Sequence, residues 1–113
     1  MDAKLSMLPG FKRDFDALGT HALRKLTLEV IGHIKTGAIT GKPLEALANT
    51  GDLSDCRKVY FDFPDRAGDK PRYRLVYRES HNEFSFVSIE MVAVGNRQNL
   101  DAYMRALKNL GRA

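Results

Sequence analysis

The sequence predicts one α+β domain, spanning residues 1–113: a small antiparallel sheet with an N-terminal helical hairpin and a C-terminal helix. Apolar residues in the first third recur at helical spacing. Those of residues 57–94 alternate with period two, and those after residue 96 return to a helical stripe. The segments between the alternating runs are too short for helical crossovers, so these strands should be antiparallel. Helices, then a meander, then a helix is an α+β order, and 113 residues suit a single modest core.

Residues 3–8 have the character of a short strand, and Pro9-Gly10 punctuates the chain after it. Phe11, Phe15 and Leu18 fall at i, i+4 and i+7, one face of a short helix that Gly19 ends. Thr20 is placed to cap the next helix, whose stripe is Leu23, Leu26, Val30 and Ile34 and whose stop is Gly37. A Gly-Thr turn between two helices makes a helical hairpin. Gly41, Pro43, Asn49 and Gly51 predict a loop over 38–55, with one helical turn at Leu44–Ala48.

The period then changes. In Arg57–Phe63, Val59, Phe61 and Phe63 point one way and Lys58, Tyr60 and Asp62 the other. Residues 64–71 are a polar connector. In Arg72–Glu79, Tyr73, Leu75 and Tyr77 share one face, while Arg72, Arg74, Val76 and Arg78 share the other. A turn at Ser80–Glu83 leads into Phe84–Val94, apolar on both faces as a central strand should be. Gly95 is expected to end it. The last helix begins near Asn96, with Leu100, Tyr103, Met104, Leu107 and Leu110 on one stripe.

Composition excludes several classes. At 43% hydrophobic and 28% charged, the chain is neither disordered nor membrane-spanning. Its first residues, Met1-Asp2-Ala3-Lys4, lack the apolar run of a signal peptide, and the single Cys56 allows no internal disulfide. The expected location is the cytoplasm, without a membrane partner. Cys56 is expected to be a small buried thiol rather than a nucleophile. His21, His33 and His81 form no ligand cluster in the sequence, so no metal site is expected.

The net charge of +4 is unevenly placed. Residues 1–55 carry seven Lys/Arg and seven Asp/Glu; residues 56–113 carry eleven and seven. A basic half joined to a neutral half points to a polyanion on one side. Strand alternation places Lys58 on the polar face of its strand and Arg72, Arg74 and Arg78 on the non-tyrosine face of the next, with Arg97 just beyond the central strand. Guanidinium groups bind phosphate oxygens bidentately. In RNA cleavage by its own 2′-hydroxyl, such cations stabilise the charge that grows on the phosphate in the transition state. A solvated arginine-rich sheet face and a core role for Tyr103 are the plain alternatives at this point.

From Leu53 onward the chain resembles the RelE/ParE superfamily of toxins from type II toxin-antitoxin systems, in particular the RelE-like branch. The resemblance rests on Leu53-Ser-Asp-Cys-Arg-Lys-Val-Tyr-Phe61, Tyr73-Arg-Leu-Val-Tyr-Arg78, Val92-Ala-Val-Gly-Asn-Arg97 and Leu100-Asp-Ala-Tyr103, in the family's order. It implies an endoribonuclease that cuts mRNA in the ribosomal A site without a metal or other cofactor, leaving a cyclic or 3′-phosphate end. It assigns Lys58 to proton transfer or charge stabilisation, and Arg74 and Arg97 to the scissile phosphate. Tyr103 would orient the nucleotide and assist proton transfer. Beside these carried-over positions, Tyr60, Arg72 and Arg78 are expected to bind RNA. The family pattern has a second lysine where this chain has Tyr60, which leaves the general base open. The implied partners are the ribosome, mRNA and a cognate antitoxin protein, held in a toxin-antitoxin hetero-oligomer. The same resemblance accommodates a ParE-like toxin that poisons DNA gyrase, or an inactive RNA- or ribosome-binding domain.

Overall fold

The computed structural model describes residues 3–44, 51–66, 68–84 and 86–112. The elements run β1 (Lys4–Met7), α1 (Pro9–Asp16), α2 (His21–Thr36), β2 (Lys42–Pro43), β3 (Cys56–Phe61), β4 (Tyr73–His81), β5 (Val87–Asn96) and α3 (Asp101–Asn109). Single 3-10 turns at Pro64–Arg66 and Gln98–Leu100 complete the order. The α+β architecture is the one expected.

Local chemistry sets the helical hairpin. Pro9 opens α1, where a missing N–H costs nothing. The Thr20 hydroxyl accepts the Leu23 N–H at 3.1 Å and caps α2. Gly37, at φ 86°, closes α2 in the left-handed conformation that glycine tolerates.

The five strands lie in the order β1-β5-β4-β3-β2. β3, β4 and β5 form the expected antiparallel meander. β1 pairs with β5 in parallel, from Lys4 opposite Ser88 to Met7 opposite Met91, so the whole sheet is mixed. Parallel neighbours need a long connection, and everything between β1 and β5 supplies it. At the other edge, β2 pairs antiparallel with β3, inside the stretch expected to be loop. Two residues carry no periodicity, so β2 was invisible to pattern. The helical turn expected at Leu44–Ala48 lies mostly outside the described residues.

Both faces of the sheet are covered, for different reasons. On one, Val59, Phe61, Leu75, Tyr77, Ile89, Met91 and Val94 pack against Phe11 of α1 and Leu23, Val30, Ile31 and Ile34 of α2. On the other, Cys56, Val76, Val92 and Ala93 pack against Tyr103, Ala106 and Leu107 of α3. The buried face of α3 therefore runs through Ala102, Tyr103, Ala106 and Leu107, whereas Met104 and Leu100, expected on the stripe, are exposed. Alanines bring the helix axis close to the sheet, which apolar spacing alone does not reveal. A register shift opposite Val76/Tyr77 makes Val92 the extra residue of a β-bulge. The Asn109 side-chain amide donates to the Val92 carbonyl at 2.8 Å and also to Asp14 of α1. Arg105 donates to Asp14 as well, at 2.9 Å. These bonds fix α3 across the bulge.

Candidate active site

Gly95 does not end β5; it is buried within it, directly opposite Arg74. A Cβ there would stand 2.5 Å from Asp101 Oδ2 and 3.2 Å from Ala102 Cα. The missing side chain is what lets the first turn of α3 rest on the strand. Tyr103 is thereby brought beside Arg74. Arg74 in turn lies opposite Tyr60 of β3, and Lys58 is two residues along on the same face. Three elements thus assemble one cluster. The Arg74 guanidinium is 4.8 Å from the Tyr60 ring centroid and 5.0 Å from that of Tyr103, and Lys58 Nζ is 5.2 Å from the Tyr60 ring. Each is within cation–π range.

The two tyrosines differ in environment. Tyr103 is 4% exposed, and its hydroxyl has no hydrogen bond of ordinary geometry among the described residues. Burial, and then the neighbouring Tyr60 hydroxyl, push its phenol up to about 12. Tyr60 is 46% exposed. Partial burial pushes its phenol up, but Lys58, Tyr103 and Arg74 together outweigh burial and bring it below its ordinary value. The two hydroxyls are close enough to act on one another without being aligned as an ordinary hydrogen bond.

The remaining cations are placed differently. Arg72 forms a fork on Asp62, both bonds at 2.9 Å, and lies over the Tyr73 ring. Arg78 is at the far end of β4, bonded to Glu90 and 3.6 Å from Asp55. Both are neutralised within the fold and are not in the cluster. Arg97 follows β5, its N–H on the Arg72 carbonyl at 2.9 Å. Its half-buried side chain makes no ion pair among the described residues. That position is two strand residues from Arg74, roughly 7 Å along β4. The face is also not open, as alternation had implied: α3 divides it, leaving the cluster on one side and Arg78 on the other.

One cation was missed by the sequence reading. Lys42 of β2 sits directly opposite Lys58 in the ladder, so both side chains leave the sheet on one face. Like charges in that position repel. Gly41 permits the approach: a Cβ there would meet the Lys58 carbonyl at 2.8 Å, and the Gly41 N–H donates to the Tyr77 hydroxyl at 2.8 Å. A cleft of about 230 Å³ lined by Ile39, Thr40, Gly41, Lys42, Lys58 and Tyr60 runs beside the cluster.

Cys56 is 1% exposed and its thiol is pushed up to about 12, first by burial and then by Asp55. It is inert packing, as expected. Among the described residues no group of three His, Cys, Asp or Glu side chains is arranged to hold a metal ion. No described helix is long and apolar enough to cross a membrane.

No protein-family model matches the chain, and no curated protein does. Solved structures do. An arginine-to-alanine double mutant of the E. coli toxin RelE in its free state superposes with a TM-score of 0.54 at 18% identity, covering 97% of this chain and 99% of that one. The isolated E. coli RelE toxin in a P21 crystal form gives 0.50 at 18% identity, covering 96% of this chain and 98% of that one. The chain has a RelE-like fold.

Proposed function

We propose that this protein is a toxin that inhibits translation by cutting mRNA in the ribosomal A site, with the 2′-hydroxyl of the RNA attacking the adjacent phosphate. The observation that carries this reading is the cluster of Lys58, Tyr60, Arg74 and Tyr103. Two cations without carboxylate partners among the described residues meet two phenols on a RelE-like fold. An unpaired guanidinium held between two rings is preorganised. It needs no reorganisation when a phosphorane-like charge develops before it. Arg97 and Lys42, at the two margins, are positioned to hold the flanking phosphates of the same strand.

In this mechanism Arg74 and Lys58 stabilise the non-bridging oxygens, more in the transition state than in the ground state. Tyr103 supplies a hydroxyl that stays protonated. Attack of the 2′-oxygen breaks the bond to the 5′-oxygen and leaves a 2′,3′-cyclic phosphate. A cognate antitoxin with an acidic segment would oppose the same cations and form a hetero-oligomer with the toxin.

The test is to add purified protein to a bacterial translating extract and map new 5′ ends on the mRNA. New ends within ribosome-covered codons are expected. Intact mRNA at concentrations that stop protein synthesis would overturn the reading. Accumulated DNA gyrase cleavage complexes would replace it with a gyrase poison.

A further inference from the structure

We propose that Tyr60 is the general base of this site, removing the 2′-hydroxyl proton as its phenolate while the buried Tyr103 hydroxyl stands against it as a donor. The inference rests on the endoribonuclease reading above and names the group that reading lacks.

The cluster contains no histidine or carboxylate. The carboxylates nearest in sequence are committed elsewhere: Asp62 to Arg72 and Arg66, and Asp101 to Arg105. A guanidinium cannot serve as a base at accessible pH. Among the described residues, Lys58, Tyr60 and Tyr103 are the groups left that can exchange a proton. Tyr103 is shut under α3 and keeps its proton, so it suits donation. Tyr60 is half exposed, so an RNA strand lying on this face can contact it.

Among the described residues, the charged and titratable groups around Tyr60 come from β2, β3, β4 and α3. Lys58 precedes it on β3, Arg74 faces it from β4, Tyr103 meets it from α3, and Lys42 of β2 lies across the strand from Lys58. All three charges are positive, and those of Lys58 and Arg74 favour a phenolate over a phenol. Burial opposes them but is outweighed. Two like groups side by side, driven in opposite directions, is the arrangement that separates a base from a donor. The Tyr103 hydroxyl, without a hydrogen bond of ordinary geometry among the described residues, meets a stronger acceptor once Tyr60 ionises. Tyr103 is accordingly a positioning residue, acting through Tyr60.

The step balances. The Tyr60 oxygen takes the 2′-proton, the 2′-oxygen bonds to phosphorus, and the bond from phosphorus to the 5′-oxygen breaks. The departing 5′-oxygen takes a proton from water, and Tyr60 returns its own to the hydroxide so formed. No electron is exchanged with a cofactor.

The experiment is single-turnover cleavage of a defined mRNA on programmed bacterial ribosomes, at saturating toxin and across pH. Tyr60→Phe, Lys58→Met and an isosteric Tyr60→3,5-difluorotyrosine variant are compared with wild type. Binding to the programmed ribosome is measured alongside. Tyr60→Phe is expected to slow cleavage by about 10²–10⁴-fold, with binding unchanged and the rise of rate with pH abolished. Lys58→Met should slow cleavage and move that rise to higher pH without abolishing it. The difluoro variant, which differs only in phenol acidity, should move it to lower pH. Cleavage by Tyr60→Phe within tenfold of wild type, or an unmoved limb in the difluoro variant, would overturn the assignment while wild-type cleavage keeps the endoribonuclease reading intact. A wild type that cuts no ribosome-bound mRNA would overturn both.

Discussion

Arg74 is the side chain on which the cluster converges. It touches both phenol rings and has no carboxylate partner among the described residues. On the proposed reading, replacing it with alanine removes a phosphate clamp, and it removes the cation that lies against both the Tyr60 and Tyr103 rings. Arg74→Ala should lower the cleavage rate by about 10²–10³-fold, read by single-turnover cleavage of ribosome-bound mRNA. Arg97→Ala should act through phosphate binding alone, leaving the pH profile of the remaining rate unchanged. Arg72 behaves otherwise, because its charge is spent on Asp62. The Arg72 bond holds the Asp62 carboxyl well below the usual carboxylate range, against burial and with help from two backbone N–H groups. Its folded value is thus lower than the unfolded value of about 3.9. The stabilisation is fully present above that unfolded value and is lost as pH falls through the folded one. Thermal melts should show Tm falling below about pH 4, and Asp62→Asn should flatten that fall.

At the scale of elements, the seat of α3 decides whether the cluster exists. Gly95 admits the helix, the 3-10 turn at Gln98–Leu100 redirects the chain, and Asp101 accepts the Asn96 N–H at 3.0 Å. Asn99 and Leu100 both take positive φ, 55° and 58°, in a conformation that non-glycine residues adopt at a cost of about 1–3 kcal/mol each. The bonds from Asp14 to Arg105 and Asn109 hold α3 in place despite it. Gly95→Ala should force the helix outward against backbone, costing about 1–3 kcal/mol in denaturant unfolding. A shift of about 1 Å at Tyr103 should also cost on the order of 10²-fold in cleavage. A normal rate in a destabilised Gly95→Ala protein would show that Tyr103 does not need this placement.

Across the whole molecule, the charge asymmetry separates into two kinds of cation. Arg72, Arg78, Arg105 and Arg112 are bound to carboxylates and hold the fold together. Lys58, Arg74 and Arg97 come from the basic half, Lys42 from the neutral half, and all four are free of such partners among the described residues. These should dominate the salt dependence of RNA binding. For a single strand, each phosphate contact contributes about 0.7 to the slope of log affinity against log salt. Lys42→Ala should reduce that slope by about this amount, as measured by titration with single-stranded RNA, and Arg78→Ala should leave it unchanged. An unaltered slope in Lys42→Ala would remove the cleft beside β2 from the RNA path.

The sequence by itself determined the helical hairpin with the Thr20 and Gly37 caps of α2, the meander of β3–β5, and the alternation that puts Lys58, Tyr60 and Arg74 on one face. Those follow from local rules of spacing and turn chemistry, which act within a few residues. Only the tertiary structure decided which cations are free. Arg74 and Arg78 are equivalent by alternation, yet one meets two phenols and the other a carboxylate from the next strand. Lys42 joins the site through a two-residue strand that no periodicity announces, and β1 joins the sheet in parallel from the far end of the chain. Contacts between residues distant in sequence set the electrostatic field at Tyr60 and Tyr103. No pattern within either segment could have told the two phenols apart.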